Sequence, residues 1–208
     1  MSGVRNCVRY GCLAVAQCFY SLRHGWAAVL LCAALSATAE ERITVCFNYG
    51  CLTQAEVVYD AAQLATLHSL FAGVQDAAQE RAVLAPVIGR MLGWAGEQSP
   101  ISADKGGNLA DEAVYGKMDC IDHSTTTTRL LKLLDKQGLL RFHEVLEPVL
   151  RRRFLVFDHF SAQIREKSLP QDAALRFVVD SWFFDNGRPA AVMPLAQWQA
   201  GDDPNDDE

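Results

Sequence analysis

Aromatic and β-branched residues dominate RFLVFDHFSAQIRE, residues 153–166, as is typical of β-strands. LRFVVDSWFFDNG, residues 175–187, has the same character, and its final DNG at 185–187 favours a hairpin. PAAVMPL, residues 189–195, can supply the return strand. The C-terminal part of the chain therefore predicts a largely antiparallel sheet.

Helical spacing of apolar residues precedes these strands. Four segments show it, the last of them short: 53–72, 76–96, 120–137 and 142–150. Thr53 with Glu56 fits a capping box, Pro86 is expected to kink or split the second helix, and Gly138 fits the end of the third. Helices before strands predict an α+β fold, with N-terminal helices packed on a C-terminal, mainly antiparallel β-sheet.

The segment 98–116 is predicted to be a long loop, because it contains the Gly106-Gly107 pair and mixed polar residues. Loops of that length in compact domains are often functional. Residues 40–199 are expected to form one domain, and the acidic end at 200–208 a disordered tail.

Composition narrows the class of protein. The chain has 208 residues, of which 50% are hydrophobic and 21% charged, so a sizeable core is expected. A formal net charge of −6 argues against a nucleic-acid partner. No apolar run reaches the roughly 20 residues that a membrane-spanning helix needs.

The first 39 residues resemble an export signal. They contain three arginines and no acidic residue, and they include the apolar run WAAVLLCAAL at 26–35, followed by Ala-Thr-Ala at 37–39. Cleavage after Ala39 would leave a mature protein that starts at Glu40 and is periplasmic or secreted. The alternative is that the apolar run forms a short buried helix.

The expected mature part has an odd number of cysteines, so at least one of them is left without a partner inside the chain. Cys46, Cys51 and Cys120 remain, and CFNYGC at 46–51 can close a small disulfide loop in an oxidising compartment. Cys120 is then unpaired, which makes it a candidate reactive thiol. The alternative has Cys46 and Cys51 as metal ligands, although no second pair of cysteines completes such a site.

The unpaired cysteine lies in MDCIDHS, residues 118–124, at the predicted start of the third helix. Free amide groups in a first helical turn carry partial positive charge and stabilise a thiolate. A nucleophilic Cys120 also needs a base and a group that orients that base. Asp119 and Asp122 are expected to cap or support the helix start, and His123 to have a supporting role.

His159 is the favoured base, because an imidazole in the middle of an apolar strand is poorly explained by packing. Asp180 is likewise an acid inside an apolar strand, where burial is costly without a partner. If the two strands pair, Asp180 can face His159. The other candidates are weaker, since His68 is expected among apolar neighbours and His143 near a helix start without a nearby acid.

Cys120 in MDCIDHS, His159 in FDHFSAQI and Asp180 in FVVDSWFFDNG resemble the Cys–His–Asp arrangement of transglutaminase-like cysteine peptidases, in the papain-like fold group. The resemblance is to the bacterial transglutaminase-like cysteine proteinases and covers about 95–195. The same motifs also resemble an uncharacterised proteobacterial protein family.

The resemblance implies an exported peptidase-like, amidase-like or acyl-transferring enzyme that acts on a peptide or carboxamide without a cofactor. Cys120 would attack the carbonyl, His159 would hold the proton and Asp180 would orient the imidazole. The Cys120 amide and a donor from the loop would bind the oxyanion. Trp182 and Trp94 would line the cleft or belong to the core.

Two other functions fit the residues. One is a non-catalytic periplasmic binding or assembly module that recruits a partner through the sheet and the acidic surface. The other is a metal site formed by Cys120, Asp122 and His123, although helical spacing offers only two or three ligands there. Thiol reactivity separates the enzyme from the binding module, and metal content separates the metal site from both.

Overall fold

A computed structural model describes five stretches of the chain, which are 40–108, 110, 113–153, 157–168 and 175–204. The expected signal peptide, residues 1–39, and residues 205–208 of the expected tail lie outside these described residues. None of the helices in the described part is long and apolar enough to cross a membrane.

An antiparallel hairpin comes first, formed by β1 (Glu41–Phe47) and β2 (Thr53–Tyr59). The helix expected over 53–72 is therefore wrong in its first part. Val57 and Tyr59 are buried while Gln54 and Glu56 are exposed, and this period of two is the pattern of a half-buried strand. The capping-box residues Thr53 and Glu56 instead belong to β2.

Four α-helices follow the hairpin along the chain: α1 (Ala61–Phe71), α2 (Ala77–Gly96), α3 (Cys120–Lys136) and α4 (Leu195–Ala200). The capping box of α1 uses Asp60 and Gln63, seven residues beyond the expected Thr53 and Glu56. Pro86 lies inside α2 and does not split it, since the helix is continuous from Ala77 to Gly96. Gly138 has a φ of 71° just beyond α3, as expected. A short 3₁₀ helix, Pro100–Ala103, lies within the predicted loop.

The main sheet has four strands in the order β3 (His143–Arg153), β4 (Phe157–Glu166), β5 (Arg176–Asp180) and β6 (Ala191–Pro194), and every neighbouring pair is antiparallel. The short helix expected at 142–150 is wrong, because this segment pairs with β4 along its length. Local helical spacing was overridden by strand pairing. β5 and β6 do pair antiparallel, but residues 181–190 join them, so the turn at 185–188, with Gly187 at a φ of 84°, lies inside a longer connection than the expected hairpin.

Helix α3 connects the two sheets. It packs on β1 and on the strands β3, β4 and β5. Its fully buried leucines, Leu130, Leu131 and Leu134, join one core with side chains of α1, α2 and both sheets. The fold is therefore α+β, with helices packed on a mainly antiparallel sheet, as the sequence predicts. Cys120 is the first residue of α3, so it lies at the N-terminus of the helix that contacts both sheets.

Candidate active site

Helix α3 begins at Cys120 because Asp119 caps it. The Asp119 carboxylate accepts the backbone amides of Ile121 at 3.0 Å and of Asp122 at 2.9 Å. The Asp122 side chain in turn accepts the Asp119 amide at 3.1 Å, which completes a reciprocal capping box. Both acids thus act as the capping groups that the sequence predicts.

A disulfide loop fixes this helix start from outside. Cys46 and Cys51 form the predicted disulfide, and Cys120 is the free cysteine of the described part of the chain. Residues 48–51 between them all have φ between 57° and 67°, a left-handed turn that is costly for residues other than glycine. Such a turn needs external partners that hold it.

Those partners are the two capping acids of α3. Asp122 accepts the amides of Tyr49 at 2.8 Å and Cys51 at 2.6 Å, and Asp119 accepts the amide of Gly50 at 2.9 Å. Successive amides of a left-handed turn form a concavity that suits anions. The turn and the acids therefore stabilise each other directly beside Cys120.

The Asp122 carboxyl is fully buried. Burial raises its pKa, and although the amides of Asp119, Cys51 and Tyr49 donate to it, the charge of Asp119 adds to the rise. The resulting pKa is about 6. Asp122 thus differs from an ordinary surface carboxylate.

His159 and Asp180 meet as the paired strands predict. Nε2 of His159, in β4, lies 2.8 Å from Oδ2 of Asp180 at the end of β5. Asp180 is 1% exposed. It follows Val179, which pairs with Ala162 of β4, and this register brings Asp180 close to His159. A buried carboxylate beside an imidazole favours the imidazolium form.

The Cys120 thiol completes the group, since its interaction with the His159 imidazole helps to raise the pKa of that imidazole. Sγ of Cys120 lies 4.0 Å from the carbonyl oxygen of Asp158. Burial lowers the pKa of His159, but the hydrogen bonds with Asp180 and Cys120, and their charges, outweigh it and raise the pKa to about 9. The imidazole is therefore held as a proton carrier at neutral pH.

Aromatic rings enclose the imidazole. The ring centroid of His159 lies 4.6 Å from that of Trp182, 5.7 Å from Phe183 and 5.6 Å from Trp198. Trp94 lies elsewhere, packed edge-on against Tyr59 in the core. Of the two tryptophans considered from the sequence, only Trp182 contacts the site.

Asp180 has two further donors. The indole Nε1 of Trp198 donates to its Oδ2 at 3.0 Å, and the Trp182 amide donates to its Oδ1 at 3.2 Å. Sequence reasoning missed Trp198, which lies in a helix that was not predicted. A tryptophan in the polar stretch LAQWQA was the available sign of a buried contact.

His123 supports the site from behind. Its Nδ1 lies 2.9 Å from Oγ of Ser181, and its Nε2 lies 3.0 Å from Oδ2 of Asp104. Ser181 also lies 2.9 Å from the Thr127 hydroxyl. Ser181 follows Asp180, so this buried chain of polar groups joins α3 to the end of β5. His123 is placed for support and not for proton transfer with Cys120.

In the described part of the chain, the two other histidines are outside the site, with one correction each. His143 is buried at the start of β3, and Glu80 of α2 supplies the acid that the sequence did not suggest, with Nδ1 and Oε1 2.8 Å apart. His68 is exposed and lies 3.4 Å from Gln137, not among apolar neighbours. The buried face of α1 is formed by Leu64, Leu67 and Phe71, and His68 lies outside it.

The predicted loop reaches the site through close backbone packing. A Cβ on Gly106 would lie 2.4 Å from the carbonyl oxygen of Phe183, and the Gly107 amide donates to the Trp182 carbonyl at 2.9 Å. Nε1 of Trp182 donates to Oδ1 of Asn108 at 2.6 Å. The glycine pair therefore lets the loop lie directly on the segment after Asp180.

The metal hypothesis for Cys120, Asp122 and His123 is not supported by their directions, since each side chain turns to a different partner. Within the described ranges, the group of ligand atoms that comes together is Cys46, Cys51 and Asp122, all within 4.8 Å. Its two sulfurs are joined in the disulfide. Bonded in this way, they cannot act as thiolate ligands.

Comparisons with protein-family models, curated proteins and solved structures found no match to this chain. The resemblance to transglutaminase-like cysteine peptidases therefore stays a prediction.

Proposed function

We propose that this protein is a cysteine hydrolase or acyl-transferring enzyme of the transglutaminase-like type, acting on a peptide or protein carboxamide with Cys120, His159 and Asp180. The observation that carries the proposal is the shared imidazole. His159 bonds to the buried Asp180 through Nε2, and its pKa is raised both by Asp180 and by Cys120, the first residue of a helix.

The chemistry follows from those roles. The Cys120 thiolate attacks the carbonyl carbon, a C–S bond forms, and the carbonyl π electrons move to oxygen. His159 gives its proton to the leaving amine as the C–N bond breaks, leaving a thioester on Cys120. Water, or an amine in acyl transfer, then attacks the thioester while His159 takes a proton, and the thiolate is released.

The oxyanion needs donors that no other group uses. Ile121 and Asp122 already give their amides to Asp119, so the Cys120 amide is the proposed backbone donor. Asn108 is the proposed contributor from the loop, because its side chain contacts Trp182 beside the imidazole. Asp180 does no proton transfer in this scheme and keeps the imidazole oriented.

Alkylation of Cys120 by iodoacetamide tests the proposal. The reaction, followed by mass spectrometry of the Cys120 peptide, should be fast near pH 6, where an ordinary thiol is almost entirely protonated. His159→Ala should slow it at least tenfold, and Asp180→Asn should slow it less. His68→Ala is the matched control, since His68 is exposed on α1. Slow labelling that ignores all three substitutions supports the non-catalytic binding module instead.

We also propose export, on the basis of the leader pattern at 1–39 and the Cys46–Cys51 disulfide. Protein recovered from its native host should begin near Glu40. Recovery of an intact leader from a cytosolic fraction contradicts this proposal without affecting the chemistry above.

A further inference from the structure

Two N–H groups converge on one oxygen of Asp180. Oδ2 lies 2.8 Å from Nε2 of His159 and 3.0 Å from Nε1 of Trp198, while Oδ1 accepts the Trp182 amide at 3.2 Å. A carboxylate rotates easily about its last side-chain bond, so its hydrogen bonds determine the orientation of its plane. The Trp198 donor therefore favours the rotation in which Oδ2 faces the imidazole.

Trp198 is itself held firmly. Its side chain is fully buried, and Arg151 donates through a guanidinium nitrogen to its carbonyl oxygen at 2.7 Å. The same guanidinium lies 4.8 Å from the Trp198 ring and forms an ion pair with Asp203. Arg151 is also the cross-strand partner of His159 in the pairing of β3 with β4. The indole cannot turn away unless these contacts break.

We propose that Trp198 is a positioning residue of the candidate active site, whose indole N–H fixes the Asp180 carboxylate toward His159. The role in catalysis rests on the proposed function. The charged groups that face the imidazole are Asp180 from β5 and Cys120 from α3, with Arg151 opposite on β3. Of these, Asp180 is the one whose orientation Trp198 controls.

Trp198→Phe in the full chain tests the role, because it keeps an aromatic ring and removes the N–H. NMR titration of His159 should show its pKa fall from about 9 toward 6.5, since the carboxylate is free to rotate away. Alkylation of Cys120 at pH 6 should slow at least fivefold. The matched control is Trp94→Phe, which alters a half-buried core tryptophan and should change neither measurement.

A double substitution separates positioning from packing. In a His159→Ala background, Trp198→Phe should cause no further loss of labelling, because its effect passes through His159. Lower thermal stability with an unchanged His159 titration would show a packing role alone and overturn the proposal. A raised His159 pKa would also overturn it, since that would mean the N–H only withdraws charge from the carboxylate.

Two further outcomes are distinguishable. If Trp198→Phe does not fold, Arg151→Lys replaces it in the test. Lysine keeps the positive charge but lacks the guanidinium whose nitrogen donates to the Trp198 carbonyl. The same fall in the His159 pKa is expected. Should wild-type Cys120 react as an ordinary thiol, the proposed function fails. The His159 titration still decides whether Trp198 positions Asp180, because it does not depend on the thiol reaction.

Discussion

Oδ1 of Asp122 accepts the backbone amide of Cys51 at 2.6 Å, and this contact ties the disulfide loop to the helix that begins at Cys120. The same acid accepts the Tyr49 amide at 2.8 Å. Stability of the loop and geometry of the candidate nucleophile are therefore coupled, and this coupling can be measured.

Replacing both Cys46 and Cys51 by serine should lower the free energy of unfolding by roughly 2 kcal/mol, the value expected for closing so short a loop. Urea denaturation measures it. Alkylation of Cys120 near pH 6 should slow as well, because the left-handed turn loses its covalent closure. Unchanged labelling in a destabilised protein would show that the loop and the helix start are independent.

Asp122 should make the protein less stable as the pH rises from about 4 to 6. Its folded pKa of about 6 lies above the roughly 3.9 of an unfolded aspartate, so the folded state binds more protons in this window. Stability gained by protonation is thus lost as the pH rises, by up to about 3 kcal/mol. Denaturation across this range should show a flatter profile for Asp122→Asn.

His159 should produce a second decrease at higher pH. Its folded pKa of about 9 exceeds the roughly 6.5 of an unfolded histidine, so its stabilising contribution is complete below 6.5 and disappears as the pH rises through 9. A loss of about 3 kcal/mol is the upper bound for this shift. The His159→Gln variant should lack this decrease in the free energy of unfolding with rising pH, whereas the His68→Gln variant should retain it.

Gly106→Ala should loosen the loop over the candidate site. The added methyl group would lie 2.4 Å from the backbone oxygen of Phe183, which cannot yield without moving the segment after Asp180. A stability loss of about 1–3 kcal/mol and slower Cys120 labelling are expected. The control is Gly73→Ala, where nothing lies within 4 Å of the new Cβ. Equal effects of the two substitutions would contradict the close packing.

Some features were predictable because their causes are local. The strand that ends at Asp180 follows from a run of β-branched and aromatic residues, and the disulfide follows from cysteine parity. His159 and Asp180 could be paired in advance, because each is a polar residue in an apolar strand that needs a partner. The start of α3 was also predicted correctly, since Asp119 and Asp122 are local capping residues.

Other features depend on distant parts of the chain. Thr53 and Glu56 imitate a capping box, but pairing with β1 makes that segment a strand. The segment at 142–150 has helical spacing and is drawn into the sheet by β4. Trp198 gains its role only when the chain after β6 returns over Asp180, and no local pattern expresses that contact.

The left-handed turn at 48–51 also bears on the order of events during oxidative folding. Among the described cysteines, Cys46, Cys51 and Cys120 allow three different pairings, and two of them would consume the thiol at the start of α3. The turn brings the Cα atoms of Cys46 and Cys51 to 4.6 Å, within the range of disulfides, while its amides are bound by the capping acids of α3. In the folded state the helix start thus supports the one of these pairings that leaves Cys120 free, and the contacts that cap the helix also keep the candidate nucleophile out of a bridge.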